Sequence, residues 1–207
     1  MKCPLCDRSS SIQRQYSPQF YNCNNCGTIF RHSRYYLSLE KEKERYLLHN
    51  NNVEDARYQA FVNPIIDEVC RSFDSKSNGL DFGAGTGPVI SKLLMEKGYQ
   101  MSLWDPFFHF DESVLNDRYD FVVCCETMEH FHNPLKEFEL MRTLLTPGGK
   151  LCCMSELLPK DISFNDWYYK NDPTHVVFYS EENLKWIKEN VGFSKVILDR
   201  RLIVFEI

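Results

Sequence analysis

Leu80-Asp81-Phe82-Gly83-Ala84-Gly85-Thr86-Gly87-Pro88 decides the fold of this 207-residue chain. It reads as a short apolar strand, an acidic residue, a glycine-rich turn and the start of a helix over 88–97. Glycines at alternate positions remove Cβ atoms where a ligand must approach the backbone. The helix that follows presents free N–H groups and the positive end of its dipole to that ligand. Pro88 suits the first helical turn, where its missing N–H costs nothing. The segment is expected to be a cofactor cradle.

The spacing argues against a dinucleotide. That fingerprint is G-x-G-x-x-G, whereas this turn runs G-x-G-x-G with Pro88 at the sixth position. Asp81, just before the first glycine, would repel a pyrophosphate and welcome a ligand carrying an ammonium and a sulfonium. Asp105 ends the next apolar run (99–104), where its carboxylate can accept from both ribose hydroxyls. In this form the region resembles the first two motifs of class I S-adenosylmethionine-dependent methyltransferases. The resemblance implies a cofactor set of Asp81, Gly83, Ala84, Gly85, Gly87, Asp105, Pro106, Phe107, Cys125 and Glu126.

Outward from the turn, strands and helices alternate. Strands are expected at 99–104, 119–125, 150–154, 194–198 and 202–207, and helices at 53–73, 134–145 and 181–190. Alternation of this kind implies a mainly parallel, Rossmann-like α/β sheet, and the closing pair reads as an antiparallel hairpin joined at Asp199-Arg200-Arg201. Only 106–118 separates the second strand from the next, so the family's third strand must be short or missing. Phe107, Phe108 and Phe110 either enclose an adenine or pack in the core, and Asp111 is the candidate to read its amino group.

Four cysteines, Cys3-x-x-Cys6 and Cys23-x-x-Cys26, form two knuckles around an insert at 7–22 that fits a β-hairpin. This looks like a zinc ribbon, with a rubredoxin-type iron site as the lesser alternative. The domain expectation is a ribbon over 1–30, a helical linker over 31–52 and a catalytic domain over 53–207. The linker contains a polar helix (38–49) read as solvated and broken at Asn50-Asn51-Asn52.

The chemistry is expected in Cys125-Glu126-Thr127-Met128-Glu129-His130, at the end of the fourth strand. Open α/β sheets bind ligands at that edge. One helical turn would aim Glu126, Glu129 and His130 the same way. His175 lies on a loop overhanging the same edge. Glu126, Glu129, His130 and His175 resemble the metal set of small-RNA 2′-O-methyltransferases and the E-x-x-E-H pattern of ubiquinone-biosynthesis O-methyltransferases. That resemblance implies a second divalent cation; without one, His130 or His175 serves as general base. Trp167-Tyr168-Tyr169 either walls the acceptor or closes the loop over the core. Cys70, Cys124, Cys125, Cys152 and Cys153 read as buried small hydrophobes.

A hydrophobic content of 43% supports a real core, and the net charge of −5 makes nonspecific nucleic-acid binding a poor default. Residues 1–57 hold nine Lys/Arg against six Asp/Glu, so any RNA or protein partner would favour the ribbon end. No run approaches the ~20 apolar residues of a membrane span. Met1-Lys2-Cys3-Pro4 lacks a secretory leader pattern. Nine cysteines then imply a reducing, cytoplasmic setting. The expected activity is methyl transfer to an oxygen, most simply of a small molecule. The alternatives are an RNA ribose delivered by the ribbon, and a non-catalytic binding or scaffold protein.

Overall fold

The computed structural model describes residues 1–9, 12–17 (backbone only), 19–49 and 51–207. The expected break at Asn50 therefore falls outside the described residues, as do parts of the 7–22 insert. Six strands form the central sheet: β4 (Asn78–Phe82), β5 (Gln100–Trp104), β6 (Tyr119–Cys125), β7 (Leu145–Met154), β9 (Lys195–Asp199) and β10 (Leu202–Glu206). Their order is β5-β4-β6-β7-β10-β9. The first four run parallel, and β10 lies antiparallel to both β7 and β9. The third strand is missing, as the short link implied. A 3₁₀ turn over Glu112–Asn116 takes its place, so β5 forms one edge of the sheet.

Period-two side chains sort this sheet into two faces. Phe121, Val123, Cys152, Met154, Leu202 and Val204 face α2 (Ala56–Ser72) and α3 (Val89–Glu96). Val122, Cys124, Leu151, Cys153, Ile203 and Phe205 face α4 (Pro134–Thr143) and α5 (Glu181–Ile187), which continues as a π turn over Lys188–Gly192. Helix α2 forms because Val62, Ile65, Ile66 and Val69 recur on one stripe, and Asp55 caps it by accepting from the Arg57 N–H at 2.8 Å. Pro64 sits inside this helix at an exposed position, so the carbonyl it frees can turn to water. Several boundary expectations shift: β7 already starts at Leu145, α2 starts at Ala56 and α5 ends at Ile187. Helix α3 starts at Val89 with Pro88 as its N-cap, and α4 ends at Thr143. Cys70 is exposed, because it falls on the solvent side of α2.

The N-terminal part forms a second sheet of β1 (Ile12–Ser17), β2 (Phe20–Cys23), β3 (Ile29–Arg31) and β8 (Val177–Phe178). The fourth strand comes from the far end of the chain. Phe20 and Ile29 share a core with Phe164, Trp167, Tyr169 and Phe178. Leu5 and Phe30 belong to the main core on the α4/α5 face. The ribbon and the Rossmann-like sheet are thus packed as one body.

Candidate active site

The glycine turn is braced against the end of β5. The Gly83 and Ala84 N–H groups both donate to the Trp104 carbonyl, at 2.8 and 3.1 Å. Asp105 is buried and accepts from the Gly85 N–H (3.0 Å), the Phe107 N–H (2.8 Å) and the Phe108 N–H (3.1 Å). The Gly83, Ala84 and Gly85 N–H groups are thus spent on holding the turn in shape. Asp81 lies behind the turn, buried, accepting from Ser91 Oγ on α3 at 2.8 Å. Burial, with Asp105 nearby, pushes its carboxyl up to about 6.

Two of the three glycines answer to the chain itself as well as to any ligand. Gly83 has φ +84°, and a Cβ there would stand 2.3 Å from Thr127 Cγ2. A Cβ on Gly87 would stand 1.8 Å from the Asn51 carbonyl oxygen, because residue 51 lies across the turn. Gly85, at φ +62°, has only Asn51 Nδ2 near its open side, at 3.6 Å. Gly83→Ala is expected to destabilise the protein by about 1–2 kcal/mol, from left-handed strain plus the Thr127 contact. Urea unfolding measures this, and a loss below ~0.5 kcal/mol would mean that the turn yields.

On the neighbouring edge the chain leaves β6 at Cys125, which is half-buried. The expected helical turn covers only Met128–His130, as 3₁₀. Glu126 has φ +48° and points elsewhere, which corrects the shared face expected for Glu126, Glu129 and His130. Both of its oxygens accept from Arg201 Nη2 at 2.8 Å. Burial and the neighbouring Glu129 push its carboxyl up to about 8, against the pull of Arg201.

Glu129, His130 and His175 do converge, with potential ligand atoms all within 4.8 Å of one another. Their partners fix their states. His130 Nδ1 lies 3.0 Å from the Thr174 carbonyl, and His175 Nδ1 lies 2.7 Å from the Tyr169 carbonyl. A carbonyl only accepts, so each Nδ1 carries the proton. Burial holds both imidazoles below their ordinary pKa and hence neutral, leaving each Nε2 lone pair free. Glu129 is fully buried and accepts from Tyr169 Oη at 2.5 Å and Ser155 Oγ at 3.1 Å. Backbone-anchored imidazoles beside an oriented carboxylate have the outer-shell arrangement of a metal site.

A cleft of about 520 Å³ opens beside this set, lined by Arg45, Phe61, Glu126, Tyr168, His175 and Arg201 among others. Its aromatic wall divides. Tyr168 is 63% exposed, whereas Trp167 and Tyr169 are buried and stack at 5.0 Å. The polar helix α1 (Leu39–Leu47) is not a solvated linker. Glu42 is buried, Arg45 Nη2 pairs with Asp172 Oδ2 at 2.7 Å, and the Tyr46 ring meets His130 edge-on at 5.3 Å. Phe107 packs against Tyr46 at 5.7 Å and Phe110 is 68% exposed. Sequence reasoning missed Arg45, Tyr46, Phe61 and Arg201. Arg201 was visible only as part of a charged hairpin turn.

The four ribbon cysteines are gathered as their spacing implied. Cys3 and Cys26 Sγ are 3.6 Å apart, Cys6 and Cys23 Sγ 3.5 Å, and all four lie within 4.8 Å. A tetrahedron with Zn–S bonds of ~2.3 Å has S···S edges of ~3.8 Å, so the set fits that ion. Contact with Cys3 draws the Cys26 thiol down to about 5, while burial pushes Cys6 up to about 11. Four such thiols can all ionise only against a cation.

A parallel sheet in this order, with a glycine turn after its first strand and polar groups at the same edge, has the fold of the class I methyltransferases. The methyltransferase-domain family matches residues 54–198, and the chain belongs to it. An O-methyltransferase family protein from Burkholderia thailandensis superposes with a TM-score of 0.55 at 12% identity, over 80% of this chain and 61% of that one. A SAM-dependent methyltransferase from Archaeoglobus fulgidus gives 0.54 at 17%, over 72% and 94%. Human N-acetylserotonin methyltransferase, solved in complex with SAM, gives 0.52 at 15%, over 72% and 53%. The chain thus spans about three fifths of the Burkholderia protein and about half of the human one. No curated protein matches it. Among the described residues, no helix is long and apolar enough to cross a membrane.

Proposed function

We propose that the chain transfers a methyl group from S-adenosylmethionine to an oxygen of a small-molecule acceptor. The observation that carries this reading is the shared edge of the sheet. The glycine turn and Asp105 stand at the ends of β4 and β5, while Glu129, His130 and His175 gather beyond β6 and β7. Gly83, Ala84, Gly85 and Gly87 would seat the amino-acid end of the cofactor, Asp105 would accept from its ribose, and Asp81 would hold the turn from behind. Pro106 and Phe107 would border the adenine side, with Cys125 and Glu126 beneath the sulfonium.

The sulfonium methyl needs no acid, so alignment of the acceptor supplies much of the acceleration. The acceptor hydroxyl would enter by the cleft at Phe61 and Tyr168, and a free Nε2 of His130 or His175 would take its proton. Glu129, His130 and His175 also fit a divalent cation. The carboxylates of Glu129, Glu156 and Asp172 outnumber the guanidinium groups of Arg45 and Arg201 around the cleft. Such a cation, when bound, supplies a Lewis acid that lowers the pKa of a hydroxyl. The reading includes structural zinc at Cys3, Cys6, Cys23 and Cys26 and a reducing, cytoplasmic setting.

Calorimetric titration with S-adenosylmethionine tests the first clause, and absence of binding at millimolar cofactor would sink it. For the second, Mn²⁺ binding to the zinc-loaded protein is expected to weaken at least ~10-fold in His175→Ala, since even an outer-shell partner's loss costs ~10–100-fold. Equal Mn²⁺ binding by both proteins would remove the cation from the scheme.

A further inference from the structure

The segment carrying His175 is held by the ribbon. Its short strand β8 has one neighbour in its sheet, β3, with Ile29 opposite Phe178 and Phe30 opposite Val177. Arg31, the last residue of β3, is 6% exposed and engages four carbonyls of the segment. Its backbone N–H donates to Val176 O at 2.8 Å. Its side chain donates from Nε to His175 O at 3.0 Å and from Nη2 to Lys170 O and Asp172 O, both at 3.1 Å. The remaining donor, Nη1, goes to Gln19 Oε1 on the ribbon, at 2.9 Å.

Two neighbouring carbonyls, one just before Lys170 and one between Asp172 and His175, hold the imidazoles. Tyr169 O takes His175 Nδ1–H, and Thr174 O takes His130 Nδ1–H. One guanidinium therefore shapes the strip of backbone that sets the tautomer and aim of both rings. Arginine suits this work, because its rigid fork of five donors can serve several carbonyls at once. The strip is linked to the cysteine cluster through β3, which pairs with β8 on one side and β2 on the other. Cys23 ends β2, Cys26 lies in the turn to β3, and Asn183 at the start of α5 donates through Nδ2 to the Cys26 carbonyl. A metal on the four thiolates would fix the β2–β3 turn, and so the register of Arg31.

We propose that Arg31 is a positioning residue for His175 and His130, and that metal loading of the cysteine cluster sets the conformation of residues 169–178. The ribbon then braces one wall of the acceptor site, residues 169–175, from behind and is no separate recognition module. The cofactor side is independent of it, since the glycine turn is braced by Trp104 and Asp105. The functional meaning of the inference rests on the methyltransferase reading; its measurement does not.

The experiment compares full-length wild type, Arg31→Ala and Arg31→Lys, each zinc-loaded, and wild type stripped of metal by chelation. Hydrogen exchange is read by segment, and the imidazole nitrogens are read by ¹⁵N NMR. In Arg31→Ala and in the stripped protein, amides of 172–178 are expected to exchange at least tenfold faster, with those of 89–96 and 119–125 unchanged. The Nδ1–H signatures of His130 and His175 should give way to averaged tautomers, and Arg31→Lys should restore them only in part. Should Arg31→Ala fail to fold, Arg31→Lys and metal removal carry the same comparison. Unchanged exchange and imidazole spectra would overturn the proposal, as would equal acceleration throughout the central sheet, which would mark general stabilisation. Failure of the wild type to bind S-adenosylmethionine would overturn the proposed reaction and leave the exchange result standing.

Discussion

Asp105→Ala is expected to weaken S-adenosylmethionine binding by on the order of 100-fold, about 2.8 kcal/mol at ~1.4 kcal/mol per tenfold. Two losses add. The carboxylate is the acceptor proposed for the ribose, and it is also the acceptor for the Gly85, Phe107 and Phe108 N–H groups. Removing it leaves three donors of a half-buried turn without their partner, each at a cost of about 1–3 kcal/mol when no water replaces it. The turn would then relax away from the shape that receives the cofactor. Asp105→Asn separates the two losses, because its single carbonyl oxygen can retain the Phe107 and Phe108 bonds. It should fall between wild type and alanine. Calorimetry with S-adenosylhomocysteine as a second probe tests whether the loss tracks the ribose, which both ligands share. Wild-type affinity in the alanine variant would sink the assignment.

The parts of this fold that sequence conveys are those governed by local periodicity. Alternating apolar residues at Phe121 to Cys124 and at Leu151 to Met154 decide both faces of the sheet. The short link after Asp105 announces the missing strand, because thirteen residues cannot hold a further helix–strand–helix. Cysteine spacing likewise places four sulfurs together, since each C-x-x-C is a local knuckle. The site was legible only in part. A glutamate at φ +48° has no signature in the chain, so Glu126 could not be seen to leave the face of Glu129 and His130. The roles of α1 and the ribbon depend on partners far away in the chain. Arg45 pairs with Asp172, and Arg31 with residues 170–176. A helix rich in Glu and Lys reads as solvated when its buried Glu42 and half-buried Tyr46 owe their burial to tertiary contacts. The position of Asp81 before the first glycine suggests a side chain facing the ligand, and nothing in the spacing indicates that Ser91 on the next helix occupies it.

Arg201→Leu is expected to destabilise the protein by about 2–3 kcal/mol at pH 9 and by under ~1 kcal/mol at pH 6. Arg201 spans the cleft wall from the β9–β10 turn, donating to both oxygens of Glu126 and to Glu156 Oε2 at 3.3 Å, with its guanidinium over the Phe61 ring at 5.2 Å. Burial and Glu129 hold the Glu126 carboxyl up at about 8, far above the ~4.3 of an unfolded chain. A carboxyl raised in this way contributes stability in acid and loses it as pH rises through the folded value. Arg201 limits that loss by pairing with the ionised form. Without it, Glu126 must remain protonated over a wider range or sit unpaired, so the penalty appears on the alkaline side. Arg201 is about one-third exposed, and water moderates the cost below that of a fully enclosed pair. Urea unfolding of wild type and variant at the two pH values measures the difference, with Glu126→Gln/Arg201→Leu as the companion. The double variant carries no ionisable group at position 126, so its penalty should lose most of its pH dependence. A destabilisation equal at pH 6 and pH 9 would show that Arg201 acts by packing on Phe61 alone.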